Sequence, residues 1–143
     1  MYLCLAAGIL TIIFILLGVL HIYWASGGQG GIGKAIPVVE GKPAFEPGKA
    51  ATLVVACGLL AVAGVSYSLG CTQPTSHAYD KYITYVGWIL TCVFIVRAVG
   101  DFNYVGFFKK HIKSDFATYD TKYYSPFCLC AGVIFAGLSW TRV

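Results

Sequence analysis

Residues 2–20 decide the fold, and they read YLCLAAGILTIIFILLGVL. In this run only Tyr2, Cys4 and Thr11 carry a hydrogen-bonding side chain, and no residue is charged. Because an α-helix rises about 1.5 Å per residue, the run is long enough to cross a hydrocarbon core of about 30 Å. A cleaved signal peptide is the alternative, but it requires basic residues before the apolar segment, and the first one here is Lys34. The run therefore predicts a transmembrane helix that the protein keeps.

Three further apolar runs follow the first. Residues 50–69 begin after Pro47 and Gly48, and residues 82–100 read YITYVGWILTCVFIVRAVG. The last run, residues 126–140, reaches spanning length if Tyr124 and Ser125 join it. We therefore predict an all-α protein, a single transmembrane domain of residues 1–143 with four helices at about 2–25, 50–69, 82–100 and 124–141.

The composition agrees with a membrane protein. Of the 143 residues, 58% are hydrophobic and 11% are charged, whereas soluble domains are about 45–50% apolar and about 25% charged. An ordinary soluble enzyme is excluded by these proportions. Intrinsic disorder is excluded as well, because apolar residues are abundant and the net charge is only +4.

The distribution of basic residues predicts the orientation. Lys and Arg are concentrated in the first and third loops, and the other side of the membrane has only Lys81 and Arg142. The loop residues are Lys34, Lys42 and Lys49, then Lys109, Lys110, Lys113 and Lys122, with Arg97 at the border. By the positive-inside rule these loops are cytoplasmic and both termini are outside, which places the protein in the inner (cytoplasmic) membrane.

Three familiar patterns, a nucleotide-binding glycine motif, a histidine metal site and a cysteine pair, are weak or absent here. Gly28, Gly30 and Gly33 match a dinucleotide-binding pattern, but a membrane helix precedes them where a strand is required. His21, His77 and His111 are scattered over both faces, so we predict no metal site. None of the six cysteines forms a C-x-x-C pair, although Cys4 and Cys71 are both placed toward the outer side and could pair.

Arg97 is the most informative single residue, because an arginine in a membrane helix is costly. Asp101 follows one turn later, so a local ion pair is one interpretation. The other is that Arg97 faces inward and holds an anionic group or an essential carboxylate. His21, Trp24 and Tyr124 are predicted at the same membrane face, so these five residues could converge in one pocket that suits an amphipathic molecule or proton transfer.

The third loop has its own pattern in residues 104–113. Phe107 and Phe108 stand beside lysines, including Lys109 and Lys110. Such a stretch is typical of a segment at the headgroup level, with lysines facing out and aromatic side chains facing in. We therefore expect Lys109 to be exposed.

Three blocks of sequence carry a resemblance to a known family. They are HIYWASGG at residues 21–28, RAVGDFNYVGFFKK at 97–110 and DFATYDTKYYSPFCL at 115–129. They resemble a family of small integral membrane proteins catalogued as domain of unknown function 3995. The resemblance implies four transmembrane helices and falls on His21, Tyr23, Trp24, Arg97, Gly100, Asp101, Gly106, Phe108, Lys109, Phe116, Asp120, Tyr124, Ser125 and Pro126. It implies no activity, substrate or cofactor.

The leading functional hypothesis is a non-enzymatic membrane protein that binds a lipid, another amphiphile or a protein partner at the cytoplasmic interface. The candidate binding residues are His21, Tyr23, Trp24, Arg97, Asp101, Lys109 and Tyr124. The alternative is a membrane-embedded enzyme acting on an isoprenoid- or lipid-like substrate, with His21, Asp101 and Asp120 as the acid–base candidates. A transporter or channel component is disfavoured, because the middles of the four helices lack charge.

The expected partners follow from the same hypothesis. They are membrane lipids, and beyond these a protein in a membrane complex or a second copy of the chain. We predict no cofactor other than a bound lipid, and no nucleic acid.

Overall fold

The protein is a bundle of membrane-spanning helices. The computed structural model describes residues 2–39, 42–73, 77–110 and 113–142. Its helices are α1 (Tyr2–Ala25), α2 (Lys49–Cys71), α3 (His77–Val99), α4 (Asp115–Tyr119) and α5 (Ser125–Trp140). A π-helical segment, Asp120–Tyr124, joins α4 to α5, so that Asp115–Trp140 runs as one rod. Within the described residues four helical segments are long and apolar enough to span a membrane, which confirms the all-α, multi-pass architecture. The side on which the termini lie stays a prediction.

Two helical hairpins build the bundle. Helix α1 packs chiefly against α2, and α3 packs chiefly against α5. An aromatic cluster joins the hairpins, since the ring of Phe14 on α1 lies 5.3 Å from that of Phe94 on α3 and 5.6 Å from that of Phe127 on α5. Phe94 in turn stacks on the fully buried Phe135 at 5.8 Å. These rings belong to α1, α3 and α5, and the core around them also contains aliphatic side chains such as Leu10, Leu69 and Leu138.

Small residues set the closest helix approaches. A methyl group added at Gly132 on α5 would lie 2.8 Å from a side-chain carbon of Ile95 on α3. One added at Gly70 on α2 would lie 2.1 Å from the side chain of Ala7 on α1. Both helix pairs therefore depend on the absence of a side chain at these positions.

The two long loops lie at one end of the bundle, which we call the loop end. Residues 26–48 contain a 3-10 turn, Ile32–Lys34, and a minimal antiparallel pair of β1 (Val38–Val39) and β2 (Lys42–Pro43). Residues 100–114 connect α3 to α4. The opposite end, where α1 and α3 begin and where α2 and α5 end, is the terminal end.

The fourth span begins earlier than we expected. Residues 115–124 are helical, whereas we predicted that the fourth helix begins at about residue 124 and that the residues before it belong to the third loop. Ser114 explains the difference, because its hydroxyl accepts a hydrogen bond of 3.1 Å from the Ala117 N–H and so caps α4. Helix α3 likewise begins at His77 rather than at 82.

Candidate functional site

The loop end holds a completely buried carboxylate, that of Asp120. Its Oδ1 accepts a hydrogen bond of 2.8 Å from Arg97 Nη2. Its Oδ2 accepts from Lys109 Nζ at 2.9 Å, from the Gly106 N–H at 2.8 Å and from the Ser125 hydroxyl at 3.2 Å. We call these five residues the Asp120 cluster. A buried anion is stable only when paired and hydrogen-bonded, and Asp120 has both kinds of support.

A tight crossing of the backbone, in which Gly100 lies against Gly106, places the Gly106 N–H beside Asp120. Gly100 and Gly106 have φ values of +90° and +91°, and their backbones touch: a methyl group at Gly106 would lie 2.4 Å from the Gly100 Cα. The Phe107 N–H closes the crossing by donating to the Ala98 carbonyl at 2.9 Å. Only glycine adopts such φ values without strain, so the two glycines determine where the Gly106 N–H points.

The π-helical segment places Ser125 beside Asp120. In this segment the Ser125 N–H donates to the carbonyl of Asp120, five residues earlier, instead of four. The Ser125 hydroxyl meets the Asp120 carboxylate, and both residues are fully buried. π-Helical segments often occur at functional sites, and here the segment brings a donor to the buried anion.

Lys109 contradicts our expectation of an exposed lysine. Its side chain is 1% exposed, and its ammonium donates to the Gly106 carbonyl at 2.8 Å and to the Thr121 hydroxyl at 2.6 Å in addition to Asp120. The three N–H groups thus have three acceptors. Phe107 and Phe108 are exposed at the protein surface, and their expected orientation toward the membrane stays a prediction. His111 and Ile112 of the same stretch lie outside the described residues.

Of the two interpretations of Arg97, the local ion pair with Asp101 is wrong. The structure agrees with the other, in which Arg97 holds a carboxylate, because Arg97 pairs with Asp120. Gly100 turns the chain out of the helix just before Asp101, so helical spacing no longer applies. The Asp101 carboxylate instead accepts from the N–H groups of Asn103, Tyr104 and Val105 at 2.9, 2.8 and 3.0 Å. Desolvation raises the pKa of Asp101, but these N–H groups lower it, and the net result lies below its ordinary value.

A cavity of about 370 Å³ lies at the same end, between α1, the first loop and the start of α2. Its walls are mostly apolar, and its polar lining residues are His21, Lys49 and Thr52. The apolar walls include Trp24, Ile32, Ile36, Phe45 and Val55. Small-molecule sites in proteins have volumes of about 300–1,000 Å³, so the cavity is large enough for a ligand.

His21 enters the cavity wall with one nitrogen already engaged. Its Nδ1 lies 2.8 Å from the Leu17 carbonyl, which can only accept, so Nδ1 carries a proton. The Trp24 ring meets the imidazole edge-on at 4.9 Å. Nε2 has no hydrogen-bond partner in the part of the chain that the structure describes. It is therefore free to accept a hydrogen bond from a ligand.

Aromatic side chains hold the glycine-rich first loop against α1. Trp24 Nε1 donates to the Gly30 carbonyl at 2.8 Å, and the Tyr23 hydroxyl accepts from the Gly30 N–H at 3.3 Å. Gly28 passes so close to the Tyr23 ring that an added methyl group would lie 2.3 Å from it. The glycines thus form a turn that packs against the Tyr23 and Trp24 side chains. This packing accounts for the glycine-rich sequence without a nucleotide-binding site.

Two tyrosines connect the first loop to α4 and the π-helical segment. The Tyr124 hydroxyl donates to the Lys34 carbonyl at 3.2 Å. The Lys34 ammonium lies 4.8 Å from the centre of the Tyr119 ring, and interaction with the Tyr119 phenol raises the pKa of Lys34. The cavity and the Asp120 cluster are therefore braced together.

The sequence thus predicted one pocket where the structure has two separate features. His21 and Trp24 line the cavity, Arg97 and Lys109 belong to the Asp120 cluster, and Tyr23, Asp101 and Tyr124 brace the loops. Sequence reasoning missed the contributions of Phe45, Lys49, Thr52 and Val55. Lys49, Thr52 and Val55 share one face of the first turns of α2, but no pattern indicated that a loop would cover that face.

A family model matches most of the chain. The model described as "Protein of unknown function (DUF3995)" matches residues 14–135. The chain belongs to this family. No significant match was found among curated proteins or among solved structures.

The DUF3995 match covers both features of the loop end, since it includes His21 and Asp120. Across residues 2–39, 42–73, 77–110 and 113–142, no group of three His, Cys, Asp or Glu side chains could hold a metal ion. Of the polar groups that the DUF3995 chain presents at the cavity, the Lys49 ammonium can donate to an oxyanion on a ligand. His21 Nε2 and the Thr52 hydroxyl oxygen can accept from a hydroxyl group, because the His21 Nδ1 and Thr52 hydroxyl hydrogens are donated to the Leu17 and Gly48 carbonyls.

Proposed function

We propose that the protein binds a membrane amphiphile in the cavity at its loop end. The apolar chain lies against the walls formed by Trp24, Ile36 and Val55, and an anionic headgroup lies beside Lys49 and His21. The observation that carries this proposal is the cavity itself, which combines mostly apolar walls with an imidazole and an ammonium in its lining. An apolar pocket with a few polar groups is the usual form of a ligand site.

Charge supports an anionic headgroup over a cationic one. Lys49 is exposed, and within residues 2–39, 42–73, 77–110 and 113–142 no acidic side chain lines the cavity. The chain as a whole carries a net charge of +4. Lysine binds phosphate as a point charge, and His21 Nε2 can accept from a hydroxyl group of the headgroup.

The enzymatic alternative lacks an observation of this kind. Acid–base catalysis at the cavity requires a carboxylate near His21, but neither Asp101 nor Asp120 lines the cavity. Both carboxylates accept several hydrogen bonds elsewhere, so their geometry supports a bracing role. We therefore make no second functional proposal.

Native mass spectrometry of the full chain tests the proposal. The protein is reconstituted in phosphatidylcholine nanodiscs containing phosphatidylglycerol, and the lipid retained after release is identified. The wild type should retain one phosphatidylglycerol per chain, whereas Ala51→Phe, which fills the cavity, should reduce retention at least about tenfold, equivalent to about 1.4 kcal/mol. Ala50→Phe is the matched control, because Ala50 is exposed on the same helix and does not line the cavity.

Headgroup selectivity is tested with Lys49→Gln. The loss of the ammonium should remove the preference for phosphatidylglycerol over phosphatidylcholine while chain binding persists. Inorganic phosphate added alone should not compete, because the apolar chain supplies most of the contact. Equal lipid retention by the Ala51→Phe and Ala50→Phe variants would contradict the proposal, as would a protein subunit bound in place of lipid.

A further inference from the structure

Helices α1 and α2 bring two thiols together at the terminal end, far from the cavity. Cys4 Sγ donates to Cys71 Sγ at 3.0 Å, and Cys71 Sγ donates to the Cys4 carbonyl at 3.3 Å. Cys4 is exposed and Cys71 is half-buried, so a reagent at the bundle end can reach the pair. A disulfide bond is about 2.05 Å long, so closing the pair requires the sulfur atoms to approach by about 1 Å.

The register of the two helices fixes this contact. The Ser66 hydroxyl donates to the Ala7 carbonyl at 3.0 Å. The Thr11 hydroxyl is shared between the Ala7 carbonyl of its own helix at 2.8 Å and the Ala63 carbonyl of α2 at 3.3 Å. Gly70 then lets α1 approach α2 where a side chain would clash with Ala7. Because these contacts hold α1 and α2 in one register, Cys4 and Cys71 stay adjacent and do not meet by chance.

We propose that Cys4 and Cys71 are a modification site that forms an intramolecular disulfide and cross-links α1 to α2 at the terminal end. The oxidant is a disulfide of the small-thiol or thiol-oxidase class. The Cys4 thiolate attacks one sulfur of the oxidant, forms a mixed disulfide and releases one thiol. The Cys71 thiolate then attacks Cys4 Sγ, forms the Cys4–Cys71 bond and releases the second thiol. Two cysteine thiols are oxidised, one disulfide is reduced, and the two cysteine protons end on the released thiols.

The second exchange is favoured because both thiols belong to one chain and are already in contact. Disulfides persist in oxidising compartments, so the site agrees with the predicted orientation in which the termini lie outside. The inference is independent of the amphiphile proposal, since neither cysteine lines the cavity.

Thiol counting on the full chain tests the inference. The reduced protein in phospholipid nanodiscs is exposed to oxidised glutathione, denatured, alkylated with a maleimide and weighed intact. Of the six cysteines, only four should then be labelled, because two are consumed. Peptide mapping should find Cys4 linked to Cys71, and a non-reducing gel should show a monomer.

Cysteine variants provide the controls. Cys4→Ser and Cys71→Ser should each prevent the paired loss of thiols, whereas Cys57→Ser, at another exposed cysteine of α2, should still lose two. Three results would overturn the inference: six labelled thiols in the oxidised wild type, a paired loss that survives Cys4→Ser, or a link between two chains.

Discussion

Two ion-paired clusters occupy opposite ends of the bundle, and they differ in what is buried. At the loop end the Asp120 carboxylate is 0% exposed and receives two cations, a backbone N–H and a hydroxyl. At the terminal end the central residue of the cluster is Arg142. Its guanidinium donates to the carbonyls of Ser68, Leu69 and Thr72 at the end of α2. Asp80 is a secondary partner there, at 3.4 Å and with 17% of its side chain exposed.

The two ends of the bundle use charge in different ways. The loop end uses a buried anion to collect donors from α3, from residues 100–110 and from the start of α5, so it fixes the positions of three segments. The terminal end uses a cation to satisfy carbonyl groups that a helix C-terminus leaves without partners. Neutralising the aspartate should therefore lower the free energy of unfolding much more at the loop end (Asp120) than at the terminal end (Asp80).

Replacing each aspartate by asparagine tests this difference most strongly. Asp120→Asn leaves Arg97 and Lys109 without a counter-charge in a buried site, and we expect a loss of about 3–5 kcal/mol in the free energy of unfolding. Asp80→Asn should cost about 0–1 kcal/mol, because its ion pair is long and partly exposed. Equilibrium unfolding in mixed detergent micelles measures both. Equal losses would show that burial does not distinguish the two ends.

The glycine crossing offers a second test of the loop end. Gly106→Ala should cost at least about 2 kcal/mol, because φ is +91° and the new methyl group would lie 2.3 Å from the Val99 carbonyl oxygen. Gly64→Ala is the matched control, since Gly64 lies in α2 with open space around it and an ordinary helical φ. The control should be neutral or stabilising by up to about 1 kcal/mol. If Gly106→Ala behaves like the control in the same unfolding assay, the crossing does not hold the cluster.

The four spans were predictable because apolar runs of spanning length have few alternative structures in a lipid bilayer. The start of the fourth span was not, because Ser114 and Asp115 lie in a charged stretch that lacks helical periodicity. Ser114 followed by Asp115 is nevertheless a helix-start pattern, and it predicts a helix that begins where α4 does.

Partners within the site were harder to predict than helices. Sequence proximity favoured Asp101 as the partner of Arg97, but the positive φ of Gly100 redirects the chain, and Asp120 arrives from 23 residues away. A glycine's φ cannot be read from one sequence. Cavity walls such as Phe45 were missed for a related reason, since the fold of a loop rich in glycine and proline follows from contacts such as Trp24 with Gly30 and not from periodicity.

Arg142 allows the terminal end to be tested without its aspartate. Arg142→Met keeps the apolar stem but removes the guanidinium that caps α2, and we expect a loss of about 1–2 kcal/mol in the free energy of unfolding. Because the carbonyls carry this interaction, the loss should exceed that of Asp80→Asn. Amide hydrogen exchange should locate the effect in the last turn of α2. A loss equal to that of Asp80→Asn would instead assign the stability to the ion pair.

Asp101 gives the smallest effect, because its carboxylate is exposed and braces a loop without being buried. Hydrogen bonds from three backbone N–H groups hold its pKa below the ordinary 3.8, so folding favours the ionised form. The resulting stability is fully present above that ordinary value and is lost as the pH falls through the lower pKa of the folded protein. Asp101→Asn removes the titrating group and should flatten this part of the stability curve, which unfolding measured from about pH 6 to about pH 3 can detect. A wild-type curve that superimposes on the variant's would show that the three N–H groups do not favour the charged carboxylate. In that case acid sensitivity at the loop end would have to come from the buried Asp120.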